Sequence, residues 1–97
     1  MPTYISLVSL TDQGVRDAKA IPERIASTER LFQEMGASLK EIFLVMGEYD
    51  YVAVAEAPDD ETVARALLSL GARGNVRTLT FRAFKKDEIP KIVHGLR

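Results

Sequence analysis

Strand-like runs and helical stripes alternate along these 97 residues in the order βαββαβ, and that order narrows the possible folds more than any single motif does. Thr3 to Leu10 is rich in β-branched and apolar residues and stops at Thr11-Asp12, an N-cap type of signal, so a strand runs into a helix. Helical spacing then carries Ile21, Ile25, Thr28, Phe32 and Met35 on one stripe as far as a stop at Gly36. Pro22 interrupts the pattern, because a residue without an N–H fits a helix best in its first turn. The spacing therefore predicts a short lead-in from Asp12, a break near Ala20 and a main helix with Pro22 in its first turn. Ser38 to Met46 and Tyr49 to Ala57 are two strand-like runs joined by Gly47-Glu48, a hairpin with Gly where a type II′ turn requires it. Pro58-Asp59-Asp60-Glu61 supplies an N-cap and an acidic first turn to a helix through Val63, Ala66, Leu67 and Leu70 that ends at Gly71 or Gly74. Val76 to Phe84 alternates apolar and polar residues over a full strand, and the tail from Ile89 to Leu96 reads as one short helix opening at Pro90.

Right-handed crossovers place consecutive helices on the same side of a sheet. The expected fold is therefore α+β and ferredoxin-like, a four-stranded antiparallel sheet with two helices on one face. The hairpin register sorts the side chains: if Met46 opposes Tyr49, then Leu44 opposes Tyr51 and Ile42 opposes Ala53, and opposed residues share a face. One set is then Ile42, Leu44, Met46, Tyr49, Tyr51 and Ala53, joined by Tyr4, Ser6, Val8, Thr78, Thr80, Arg82 and Phe84. The other is Phe43, Val45, Val52 and Val54 with Leu79, Phe81, Ala83, Ile5 and Leu7. Being wholly apolar, the second set is expected beneath the helices, which leaves the first on the open face. An open face of roughly 300 to 400 Å² is of the size that calls for a partner. A homodimer stacked through it is expected, against the alternative of a monomer whose tail folds back over the sheet.

Composition sets the outer bounds. Apolar residues make up 46% and charged residues 28%, as in an ordinary globular chain, so residues 1–97 are expected to form one domain. Thirteen Lys and Arg against 14 Asp and Glu leave a formal charge of −1, with no net attraction to phosphate backbones or anionic lipid, so DNA and membranes are not expected partners. The absence of cysteine removes disulfides and thiolate chemistry, and Met1-Pro2-Thr3-Tyr4 does not begin a signal peptide; a cytoplasmic location is expected.

Several motifs in order resemble the GYD-domain family, named for a Gly-Tyr-Asp element: Gly47-Glu48-Tyr49-Asp50, then Ala57-Pro58-Asp59-Asp60-Glu61, then Gly74-Asn75-Val76-Arg77-Thr78-Leu79-Thr80. Leu10-Thr11-Asp12-Gln13-Gly14 resembles that family's strand-to-helix junction, so the likeness runs from Tyr4 to Phe84. The resemblance implies a ferredoxin-like fold of the dimeric α+β barrel type and brings no established activity with it.

Among single residues, Tyr49 and Tyr51, with Tyr4 on a neighbouring strand, suit either packing or a flat ligand. Arg77 and Arg82 with Thr78 and Thr80 suit a carboxylate or an enolate, although Arg77 is of the other parity. Tyr4, Tyr49, Tyr51, Thr80 and Arg82 are thus the ligand-binding candidates. Gly47, Asp50 and Arg77 are expected to be structural, with Arg77 pairing with Asp50 or Asp12. His94 is the only histidine and has no second soft ligand, so neither a metal nor a cofactor is expected. No serine sits in a nucleophile elbow. The leading functional expectation is a binding or regulatory module that takes a small organic ligand or only its twin. The alternative is a cofactor-independent oxygenase or isomerase in which Tyr49, Tyr51 and Arg82 polarise an aromatic or polyketide-like substrate. RNA binding ranks last: the same element order builds an RNA-recognition sheet, but Glu48 and Asp50 stand where that motif wants a basic and a small residue.

Overall fold

Helix boundaries fall where the capping residues put them. In the computed structural model, which describes residues Met1–Arg97, Thr11 closes strand β1 (Thr3–Leu10) and caps α1 (Asp12–Arg16) by accepting the Gly14 amide on its hydroxyl. A single 3₁₀ turn at Ala18–Ala20 fills the predicted break, and α2 (Ile21–Glu34) carries Pro22 in its first turn. Strands β2 (Ser38–Leu44) and β3 (Tyr51–Glu56) follow. Asp59 then caps α3 (Asp60–Ala72) by accepting from the amide and hydroxyl of Thr62, and these two bonds, the hydroxyl's first, hold its carboxyl below the usual range. Strand β4 (Val76–Ala83) leads through a second 3₁₀ turn to the short α4 (Ile89–His94).

The sheet is antiparallel throughout, in the order β2-β3-β1-β4. It is open: β2 and β4 are edges with one neighbour each, and the sheet does not close on itself. The dimeric α+β barrel implied by the family resemblance is therefore corrected to an open ferredoxin-like sheet with α2 and α3 on one face. The hairpin register is the expected one, with Ile42 opposite Ala53 and Leu44 opposite Tyr51. The paired ladder nevertheless ends at Leu44 and Tyr51, so a loop from 45 to 50 replaces the two-residue turn. Asp50 explains this, since its amide donates to Val8 of β1 and draws the chain there. Strand β2 also carries one extra residue, Lys40, between the pairings Leu39–Ala55 and Glu41–Val54.

A second correction concerns the two faces. The side chains fall into the expected co-facial sets, but the helices cover the opposite one. Tyr4, Ser6, Val8, Tyr51, Ala53 and Ala55 are buried beneath α2 and α3, whereas Leu79 and Phe81 are 53% and 46% exposed and Phe43 is exposed on the bare side. The physical reason lies in side-chain size. Short side chains such as Ser6, Ala53 and Ala55 on the covered face give Phe32, Leu67 and Leu70 of the helices room to pack against the sheet, and Phe43, Leu79 and Phe81 point away. Tyr4, Tyr51, Thr80 and Arg82 therefore do not stand on the open face. The tail leaves that face uncovered as well, for Ile89, Ile92, Val93 and Leu96 are themselves 48% to 73% exposed.

The core proper is small and lies at one end, where Tyr4, Phe32, Ala55, Ala57, Val63 and Ala66 close together between sheet and helices. The chain exposes 6800 Å², against about 5500 Å² for a self-contained monomer of 10.8 kDa. The surplus of about 1300 Å² exceeds the roughly 800 Å² that each partner buries in a standard interface. The radius of gyration, 14.6 Å, likewise exceeds the roughly 12.5 Å of a compact chain of this length.

Candidate functional site

Small residues on β1, β3 and β4 leave space under the helices beside the core, with Phe32 and Ala55 bordering both. There a cavity of about 90 Å³ has a floor of Ser6, Tyr51, Ala53 and Thr78 and a roof of Ile21, Ile25, Phe32, Leu67 and Leu70. Leu39 and Ile42 both line it, although three residues apart on one strand, because the bulge at Lys40 brings them to the same face. Polar groups gather at the mouth, where Arg24, Arg73 and Asn75 meet.

The mouth is where the separate sequence motifs converge. Thr11 donates its amide to the Asn75 carbonyl at 3.0 Å and its hydroxyl to the Gly74 carbonyl at 2.6 Å. Gln13 Nε2 donates to the Arg73 carbonyl and to Asn75 Oδ1, each at 3.0 Å. Asp50 Oδ2 accepts the Leu10 amide at 2.7 Å, which ties the Gly-Tyr-Asp hairpin to the same strand end. Gly14 permits this closeness, since a β-carbon there would overlap the Asn75 carbonyl oxygen.

Arg24, in the first turn of α2, donates through Nη2 to the carbonyls of Gly14 at 2.7 Å and Asp17 at 2.8 Å, closing the end of α1. Its Nε is buried and has no acceptor within the protein. Arg73 donates to Ser27 Oγ at 2.9 Å. Burial raises the phenol of Tyr51 above its ordinary value, an effect that Arg24 opposes and Asp50 adds to.

Of the five ligand-binding candidates named from sequence, Tyr51 alone lines the cavity. Tyr4 is buried elsewhere with its hydroxyl donating to Asp60, and burial followed by that bond pushes its pKa up to about 12. Thr80 shares a 2.6 Å hydrogen bond with Ser6, and Tyr49 sits half-buried in the hairpin loop. Arg82 lies at the far end of the sheet, its guanidinium 4.3 Å from the Phe84 ring centre and 3.7 Å from Glu88, where it steadies the approach to the tail. Arg77 is exposed opposite Ser9 and joins none of the chain's three ion pairs, so the expected pairing with Asp50 or Asp12 does not form. Asp50 is structural by another route, its bond to the Leu10 amide. Sequence reasoning missed Arg24: it borders the apolar stripe of α2 four residues before Thr28, and the one signal for it is a charge at the edge of that stripe.

An open ferredoxin-like sheet with a cavity held between it and its helices defines a small α+β domain. The chain belongs to the GYD domain family, whose sequence pattern matches residues 4–93. It is 44% identical over 84 residues to a protein of Thermus thermophilus named glutamine synthetase and cystathionine beta-lyase binding protein, covering 86% of this chain and 88% of that one. Among solved structures, it is similar to a feast or famine regulatory protein from M. tuberculosis complexed with L-methionine, with TM-score 0.66 and 16% identity over 89% of this chain and 52% of that one. A transcriptional regulator from Neisseria meningitidis in complex with L-Met gives TM-score 0.63 and 22% identity, over 88% and 51% respectively. This chain spans about half the length of those two regulators, and at such identities the likeness is one of fold. No helix is long and apolar enough to cross a membrane.

Proposed function

We propose that this chain is a cytoplasmic regulatory binding module that pairs with a second copy through its bare sheet face and takes a small organic ligand into the cavity on the other. The observation that carries the reading is the inverted sheet. Small residues under the helices leave a chamber, and bulky apolar residues on the far side make a face that water alone covers poorly. Leu7, Val52, Val54, Leu79 and Phe81 stack against the same residues of a twin as two open sheets laid face to face. The surplus surface is large enough for such an interface and for the tail to join it.

The lining contains no His, Asp, Glu, Lys or Cys, so the cavity offers no ordinary general base, and this favours holding a ligand over converting one. The Thermus relative's name adds the kind of output to expect. The module acts by attaching to a metabolic enzyme of the glutamine synthetase or cystathionine β-lyase type, with ligand in the cavity setting the strength of attachment. Light scattering on the purified chain tests the pairing. Twice the 10.8 kDa subunit mass is expected, falling to the subunit mass in Phe81→Asp; a wild-type monomer contradicts the reading. Titration of purified glutamine synthetase and cystathionine β-lyase tests the output, and failure of both to bind removes that part.

A further inference from the structure

Resting on the cavity reading above, we infer that its ligand is a small monocarboxylate with an apolar body and no amino group. Two arginines stand at the mouth, and no acidic side chain lines the cavity anywhere. Neither arginine is in an ion pair: the chain's three lie elsewhere, between Glu61 and Arg65, Arg82 and Glu88, and Glu56 and Lys85. Arg24 spends one nitrogen on two neutral carbonyls, so its charge has no counter-ion within the protein. Two guanidinium groups without a counter-ion favour an anion, and a carboxylate supplies acceptor oxygens and opposite charge together.

The remaining walls argue for the rest of the molecule. Behind Arg24 the surface is aliphatic, with Ala53 on the floor and Ile25 above it, and about 90 Å³ accommodates a short branched chain rather than a large ring system. An α-ammonium group would enter beside two guanidinium groups with no acid to receive it, so a free amino acid is disfavoured against the corresponding simple acid.

Isovalerate, isoamyl alcohol and L-leucine share a branched hydrocarbon end and differ in the polar head, so calorimetric titration of the three into the full chain separates the possibilities. Isovalerate is expected to bind at least tenfold more tightly than either of the others, and Arg24→Gln is expected to lose at least tenfold for isovalerate alone. Arg24 also closes α1, so its variant can misfold; Ala53→Leu, which fills the cavity without touching the mouth, is then expected to abolish isovalerate binding in a folded chain. Equal binding of alcohol and acid, or an Ala53→Leu chain that still binds isovalerate, overturns the inference. The first leaves an apolar ligand site in this cavity standing and the second moves the site elsewhere. Preferential binding of leucine overturns it too, while keeping a small-molecule module. Failure of all three to bind overturns both the inference and the ligand part of the proposed function.

Discussion

At Gly14, replacement by alanine sets a methyl group against the Asn75 carbonyl, the acceptor for the Thr11 amide. Neither side can yield cheaply, because both belong to backbone that closes the mouth. Gly14→Ala is expected to cost about 1–3 kcal/mol, read from the urea midpoint at constant slope. Tyr4 makes a prediction of another kind. Its pKa rises from 10.0 to about 12 through burial and the bond to Asp60, so the folded chain retains a proton that the unfolded chain gives up. The stabilisation is complete below the ordinary phenol value and is lost as pH climbs through the folded one. Denaturation midpoints are therefore expected to fall between pH 10 and 12, and to fall less steeply in Tyr4→Phe, with Tyr51 sustaining the remainder. An unchanged slope in Tyr4→Phe contradicts this assignment.

Among the elements, β2 carries one residue out of register. Lys40 lets Leu39 and Ile42 share the covered face while three residues apart, and deleting it leaves them two apart, on that same face in a regular ladder with Ala55, Val54 and Ala53. The deletion is therefore expected to be tolerated, with a stability within about 1 kcal/mol of wild type in urea denaturation. A larger loss, with amide exchange faster at the start of β2 than in β3, would show that Leu39 had left the covered face and would contradict this reading of the bulge. Much at this scale was legible beforehand. Thr11, Pro22, Asp59 and Gly36 set helix ends because capping is local chemistry, and the hairpin register agrees with the pairing rule although a longer loop replaces the two-residue turn at Gly47. Lys40 carried no local signal, since a bulge is fixed by what two strands must bury together. Asp50 was expected to meet a side chain, yet a backbone amide with no sequence signature took it.

For the whole molecule, sequence sorts side chains into two faces without saying which one the helices cover. Alternation fixes parity alone, and the expectation that the most apolar set lies beneath the helices holds for a chain that buries its surface unaided. Here Ala53, Ala55 and Ser6 sit under helices while Leu79 and Phe81 meet solvent, an arrangement that makes physical sense when another subunit completes the burial. The same inversion hid the cavity, because a chamber floored by small residues is legible only once the helices are known to lie over them. Arg24 went unread for a related reason: a charge beside an apolar stripe reads as its flank until the stripe is seen to roof a space.

Isotope-filtered NOE spectroscopy on a sample mixed from labelled and unlabelled chains observes the bare face directly. Contacts between subunits are predicted among the side chains of Leu7, Val54, Leu79 and Phe81, with Tyr51 and Ala53 contacting only α2 and α3 of their own chain. Contacts from Leu79 and Phe81 to those helices within one chain, or a monomer in which both side chains respond to a soluble paramagnetic probe, would contradict it.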